Sequence, residues 1–147
     1  MPSLELDDAT HARITSLSER GNALAESGDL DGALQAYRQA LALVPAPVCE
    51  WEAATWILAA LGDVLFQQSK YKEARDSLKE AMRCPGGIGN PFVHLRLGQA
   101  HFELGEHERA KDELARAYMG GGNELFEGED RKYKTFIQEI LRPREDI

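Results

Sequence analysis

An all-α fold is written into this chain: three helix hairpins stacked side by side, closed by a C-terminal capping helix. Three observations predict it. One set of columns recurs three times along the sequence. Each recurrence carries two stretches of helical apolar periodicity around a short turn. Nothing in the chain reads as a strand.

The columns are anchored on Gly21, Gly62 and Gly98, which lie 41 and 36 residues apart (62 − 21 and 98 − 62). Seven residues after the anchors stand Gly28, Ser69 and Gly105. Twelve after them stand Ala33, Ala74 and Ala110, and nineteen after them Ala40, Ala81 and Ala117. Sixteen after them stand the large residues Tyr37, Leu78 and Leu114. Leu61 and Leu97 precede their anchors, with Arg20 the exception, and Leu24, Leu65 and His101 follow three later. The unit is about 34 residues, with small insertions between copies. Small residues recur because two helices approach closely there, and a larger side chain would push them apart. The large column fills what remains. The turns fall at Gly28-Asp29, Ser69-Lys70 and Gly105-Glu106. A glycine there takes the left-handed conformation cheaply, and an adjacent Asp or Ser can cap the next helix. The repeats run over about 14–46, 55–87 and 91–122, with a capping segment at 123–143, in a single domain of residues 1–147.

The flanking segments extend this plan. Leu4 to Ser18 lengthens the first helix, with Asp7 or Asp8 near its start, where acid suits the dipole. Pro47 to Ala54 is expected to lengthen the first helix of the second copy. That would set Trp51 on one core stripe with Leu58 and Leu65. Asn90-Pro91 reads as an N-cap followed by a proline in the first turn. After Gly122 a loop is expected, then a helix whose face is Tyr133, Phe136, Ile137, Ile140 and Leu141. That helix would cover the exposed end of the third copy and stop at Arg142-Pro143.

Composition narrows the function. Apolar residues are 43% and charged residues 29%, which fits a globular chain and argues against disorder. Seventeen basic against 25 acidic residues give a net charge of −8. That weighs against nucleic acid or an anionic membrane as partner and weakly favours a basic one. Met1 to Asp8 has neither a basic n-region nor an apolar h-region, so no secretory signal is expected. The most apolar stretch, 53–66, contains Gly62 and Asp63 and is too short to span a bilayer. A cytoplasmic protein is the expectation. Cys49 and Cys84 have no metal-type spacing and form no disulfide framework, so they read as small apolar fillers.

Candidate chemistry is sparse. Gly120-Gly121-Gly122-Asn123 and Gly86-Gly87-Ile88-Gly89-Asn90 lack the Lys-Ser/Thr of a phosphate loop. Among His11, His94, His101 and His107, the middle pair is two helical turns apart, about 10 Å of rise. That is too far to share one metal ion. Both are read as histidines bonded to nearby backbone or acids, and a weak site there is the remaining chemical alternative. Glu106/Glu108 and Asp112/Glu113 read as solvated faces. No enzyme activity, cofactor or metal is expected.

The first copy reads Gly21-Asn22-Ala23-Leu24, Gly28-Asp29-Leu30, Ala33, Tyr37, Ala40-Leu41 and closing Pro45. This pattern resembles the tetratricopeptide repeat family, over roughly two thirds of the chain. The other copies depart at their ends, where Pro85-Gly86-Gly87 and Gly120-Gly121-Gly122 replace the closing proline. The resemblance implies a right-handed solenoid whose first helices line a concave side, in a non-catalytic module that binds a peptide or protein. Family geometry and the helical period together put Thr15, Ser18, Asn22 and Glu26 on that side, then Trp56, Ala59, Asp63, Phe66 and Gln67, then Phe92, Leu95, Arg96, Gln99, Phe102 and Glu103. The candidate groove is Asn22, Trp56, Asp63, Phe66, Gln67, Phe92, Arg96, Gln99, Phe102 and Glu103, aromatic anchors ringed by polar groups. The family's clamp for terminal carboxylates is set aside. Asn22 and Arg96 match it, but Ser18, Ala60 and Phe92 stand where Lys, Asn and Lys are needed. Residues 89–99, 117–122 and 125–133 resemble short bacterial members of the family, some of them immunity partners of toxins. That implies an adaptor, with an immunity protein masking a cognate toxin, or a small secretion chaperone, as the alternatives.

Overall fold

Asp7 starts the first helix: its carboxylate accepts the Thr10 N–H at 2.8 Å, and Asp8 follows in the first turn. A computed structural model describes residues 6–141. Among them are seven α-helices and no strand: α1 (Asp8–Glu26), α2 (Leu30–Ala42), α3 (Glu52–Gln67), α4 (Tyr71–Arg83), α5 (Pro91–Glu103), α6 (His107–Phe126) and α7 (Arg131–Leu141). Helices pair as α1 with α2, α3 with α4 and α5 with α6, and each pair packs on the next. The result is a three-hairpin solenoid capped by α7, which packs on α6.

The three turns are built alike. Gly28, Ser69 and Gly105 take φ of 90°, 62° and 78°. In each, the next N–H reaches back to a carbonyl near the helix end: Asp29 to Leu24, Lys70 to Leu65 and Glu106 to His101, all at 2.9 Å. Only the first hairpin adds a side-chain cap, where Asp29 accepts the Gly32 N–H at 2.9 Å. Ser69 caps nothing, because it holds the left-handed position itself, and Lys70, the N-cap of α4, has no acceptor to offer. Glu106 turns elsewhere, as described below.

The anchor glycines sit in equivalent surroundings. A Cβ on Gly21 would meet Tyr37 Cε1 at 2.5 Å, one on Gly62 would meet Leu78 Cγ at 2.5 Å, and one on Gly98 would meet Leu114 Cγ at 2.7 Å. Both alanine columns are fully buried. Each large residue therefore lies flat on the glycine of its own hairpin, which sets the close approach of its two helices.

Two linkers depart from expectation. Of residues 47–54, only the last three, from Glu52 on, lengthen α3. Val48–Glu50 forms a 3₁₀ turn, and Trp51 is extended at φ −112° and ψ 134°. Pro45 and Pro47 lack N–H donors and bar a helix continuing out of α2, and past Pro47 the chain makes a single 3₁₀ turn before α3 begins at Glu52. The Trp51 indole N–H instead donates to the Pro45 carbonyl at 2.9 Å. After the third hairpin, Gly122 (φ 65°, ψ −162°) kinks α6, and a further helical turn follows in place of an open loop. That turn buries Phe126. Asn90 caps α5 as expected, accepting the Phe92 and Val93 N–H groups. On α7, Tyr133 and Ile137 are buried, Phe136 and Ile140 half-buried, and Leu141 is exposed at the helix end. Leu4 and the expected stop at Arg142-Pro143 lie outside the described residues. No described helix is long and apolar enough to cross a membrane.

Candidate functional site

The inner wall of the solenoid can be located from packing alone. The first helices touch across hairpins, α1 with α3 and α3 with α5. Neither α2 with α4 nor α4 with α6 makes a comparable contact. Elements on the inside of a curve lie closer together, so α1, α3 and α5 form the concave side.

Its C-terminal half is closed by the chain itself. Arg96 on α5 lies between the Phe66 and Phe92 rings, 5.2 and 5.4 Å from their centroids. Its Nε donates to Asp63 Oδ1 at 2.6 Å and its other donors reach Gln99 Oε1 at 2.7 Å and Glu129. Gln99 is 0% exposed, and its amide donates to the same Glu129 carboxylate at 2.9 Å. Burial presses the Arg96 guanidinium toward deprotonation, but Asp63 and Glu129 outweigh it and hold its pKa above the ordinary value. The neighbouring Glu103 accepts from Tyr133 Oη at 2.6 Å and from Lys132 Nζ at 2.5 Å. Burial pushes the Glu103 carboxyl up, yet the bonds from Lys132 and Tyr133 hold it below the ordinary carboxylate value. Burial and then Glu103 raise the Tyr133 phenol. Phe102 packs edge-on against Tyr133, Phe136 and His107 at 5.5, 5.1 and 5.2 Å. Phe66, Arg96, Gln99, Phe102 and Glu103 are therefore brought together, but under the α6–α7 turn and α7.

Asp63 and Phe92 belong to this closure through Arg96 and Gln67 stands at its rim, whereas Asn22 and Trp56 stand apart from it. Asn22 accepts the Tyr37 hydroxyl at 2.5 Å at the edge of the first hairpin. Gln67 is exposed and donates to Asp63 Oδ2 at 3.1 Å. Trp56 is 70% exposed, the one large aromatic so open among the described residues. Between the N-terminal halves of α1 and α3 lies an open cleft of about 840 Å3, lined by Trp56, Thr15 and Ser18. Trp51, His11, Asp8, Glu19, Glu50 and Glu52 also line it, over an apolar floor that includes Ile14 and Ile57. Sequence reasoning placed Trp51 in the core, because it assumed a continuous helix. Glu129 was not foreseen either, since no helical period links it to α5. Neither had a signal in the sequence, since a proline such as Pro47 is compatible with the start of a helix.

Both buried histidines bond to acids. His94 Nδ1 meets Glu113 Oε2 at 2.6 Å, and the Gly89 N–H donates to Nε2 at 3.2 Å, which assigns the proton to Nδ1. His101 Nδ1 meets Glu106 Oε1 at 2.8 Å, and Arg75 donates to the same carboxylate at 3.1 and 3.2 Å. The bond from His101, more than that from Arg75, lowers the Glu106 pKa. Glu106 and Glu113 are thus not solvated faces, as their spacing had suggested, but partners of the two rings. No group of three or more metal-ligating side chains gathers among the described residues. Cys49 is half-buried and Cys84 buried. Burial, then Cys49, pushes the Cys84 thiol up to about 12.

Comparison with known proteins adds to this geometry. Two family models, each described as Tetratricopeptide repeat, match residues 11–84 and 59–124. No curated protein gives a significant match. The chain is similar to the C-terminal TPR-containing domain of a putative FK506-binding protein from Plasmodium falciparum (TM-score 0.74, 17% identity, 92% of this chain and 91% of that one). It is similar to the second TPR domain of human RPAP3 in complex with the HSP70 peptide SGPTIEEVD (0.67, 20%, 91% and 99%). It is also similar to the Sgt2 TPR domain from Aspergillus fumigatus (0.67, 18%, 100% and 93%).

Proposed function

The chain belongs to the tetratricopeptide repeat family, and on that premise we propose that it is a non-catalytic adaptor holding a segment of a protein partner against its concave side. The observation that carries this is the open cleft between α1 and α3, with Trp56 70% exposed at its wall. A large aromatic on an open concave surface is what a peptide-binding site presents and what a monomer otherwise hides. A similar domain in human RPAP3 was solved with a peptide, which supports the same use of this scaffold. The terminal-carboxylate mode of binding is not carried over, because Arg96 is already paired with Asp63 and Glu129. We place the module in the cytoplasm.

The net charge of −8 supports a basic partner. Masking of a basic toxin domain by an immunity partner fits that charge, and so does holding a segment awaiting secretion. A toxin reading frame beside the gene would select the first, a secretion operon the second.

The adaptor reading is tested with a photo-crosslinking residue placed at position 56 on α3 or at position 119 on the outer surface of α6, where Met119 is 78% exposed. In cells that make the protein, position 56 is expected to give a discrete adduct and position 119 none. Adducts at 119 alone, or at neither, would overturn it.

A further inference from the structure

The concave side is divided by charge. Four carboxylates, from Asp8, Glu19, Glu50 and Glu52, line the cleft with Trp51 and Trp56; one histidine, His11, lines it too, and no Lys or Arg does. None of the four forms an ion pair with a described residue. At the other end the cations are committed: Arg96 to Asp63 and Glu129, and Lys132 to Glu103. An acidic segment laid along the inner wall would meet carboxylates at one end and paired cations at the other. A basic segment meets four carboxylates that lack an ion-pair partner among the described residues, beside an open indole face.

We infer that the cleft takes a basic segment of a protein partner, with a Lys or Arg side chain laid over the Trp56 indole among the carboxylates of α1 and the α3 entry. This rests on the concave-side reading and adds to it the chemistry and the place of the contact. Tryptophan is the aromatic that attracts a cation most strongly. The chain uses the same combination internally, where Arg96 is stacked on Phe66 and Phe92 and bonded to Asp63. In the cleft the ring and the acids are present and the cation is the partner's. A volume of about 840 Å3 holds several side chains, which suits a short extended segment. Trp56 and the acid rim then do different things. The ring supplies apolar contact area, and the carboxylates select the sign of what lies on it.

The chain has two tryptophans, Trp51 and Trp56, and both line this cleft. Intrinsic emission therefore reports the site directly. The intact chain is titrated with a short peptide of lysines and leucines and with its glutamate counterpart. The lysine peptide is expected to give a saturable change in emission that weakens as salt rises, and the glutamate peptide none. The Glu50→Gln, Glu52→Gln chain should bind the lysine peptide about fivefold more weakly. A Glu124→Gln, Glu139→Gln chain of equal net charge should bind as the intact one does, which separates a local site from general attraction to an acidic protein. An equal response to the glutamate peptide, no response to the lysine peptide, or equal weakening in both variant chains would overturn the inference. The cross-linking experiment has no charge requirement. Adducts at position 56 with any of those results would leave the concave-side reading standing and remove the basic assignment alone.

Discussion

Gly62 lies directly against Leu78: a Cβ on the glycine would come within 2.5 Å of the leucine Cγ. The contact joins the two helices of the central hairpin, which packs on both of its neighbours. Gly62→Ala forces the leucine or the whole of α4 to move. A loss of about 1–3 kcal/mol is expected, the usual cost of overpacking a filled core. Leu78→Ala added to Gly62→Ala should cost less than the two single losses summed, because the second change removes the clash made by the first. Urea denaturation of the four chains measures this. Strict additivity would mean that the two residues do not share a contact.

Ser69 offers a change in the opposite direction. It holds φ at 62° where the other two hairpins have glycine at 90° and 78°. A side chain in that conformation costs roughly 1 kcal/mol, and glycine escapes it at some entropic cost in the unfolded chain. Its hydroxyl bond with Tyr71 is long, at 3.3 Å, and exposed. Ser69→Gly is expected to raise stability by about 0.5 kcal/mol. A fall of that size or more would show that the hydroxyl matters to the turn.

What could be read from the sequence follows from these contacts. Gly, Ala and Leu recur at fixed spacing because each hairpin solves one packing problem locally, between residues sixteen apart. The candidate site is another matter. Phe66, Arg96, Gln99 and Glu103 were placed on the inner wall by family geometry and helical period together, which say which way a side chain points but not what later covers it. Glu129 meets Arg96 across 33 residues, through a turn shaped by the kink at Gly122. Trp51 was misplaced for a related reason: helical period was carried from Pro47 to Ala54, where the chain makes a 3₁₀ turn and an extended residue before α3 begins at Glu52.

That difference separates Trp56 from Phe66. From the sequence the two rings are equivalent groove anchors. In the fold Trp56 is 70% exposed, whereas Phe66 contacts Tyr71 at 5.3 Å, Tyr133 at 6.4 Å and the Arg96 guanidinium. Trp56→Ala should leave stability within about 0.5 kcal/mol, as for other surface changes. Phe66→Ala should cost about 2 kcal/mol or more by opening the space beneath Arg96. Thermal melts of the single variants read this directly, and equal melting temperatures would mean that Phe66 is as free as Trp56. A binding defect is therefore interpretable in Trp56→Ala alone and not in a chain that also carries Phe66→Ala.

The contact of α7 with α5 should fail first in acid. Glu103 is held below its ordinary value of 4.5, because the bonds from Lys132 and Tyr133 outweigh its burial. A carboxyl with a depressed folded value adds stability that is present above the unfolded value and is lost as pH falls through the folded one. The loss therefore begins near pH 4.5 and grows below it. Protonated Glu103 no longer attracts Lys132, and the Tyr133 hydroxyl loses a charged acceptor. Glu106 is lowered in the same direction by His101 and Arg75, so the α5–α6 hairpin also weakens in acid. The two effects separate by location. Hydrogen exchange should show α7 amides losing protection as pH drops below this value while those of α1 and α2 keep theirs. Glu103→Gln should make α7 protection lower and less dependent on pH over the same range, since the amide cannot be neutralised. Unchanged acid sensitivity of α7 in that variant would show that the bonds to Glu103 do not set it.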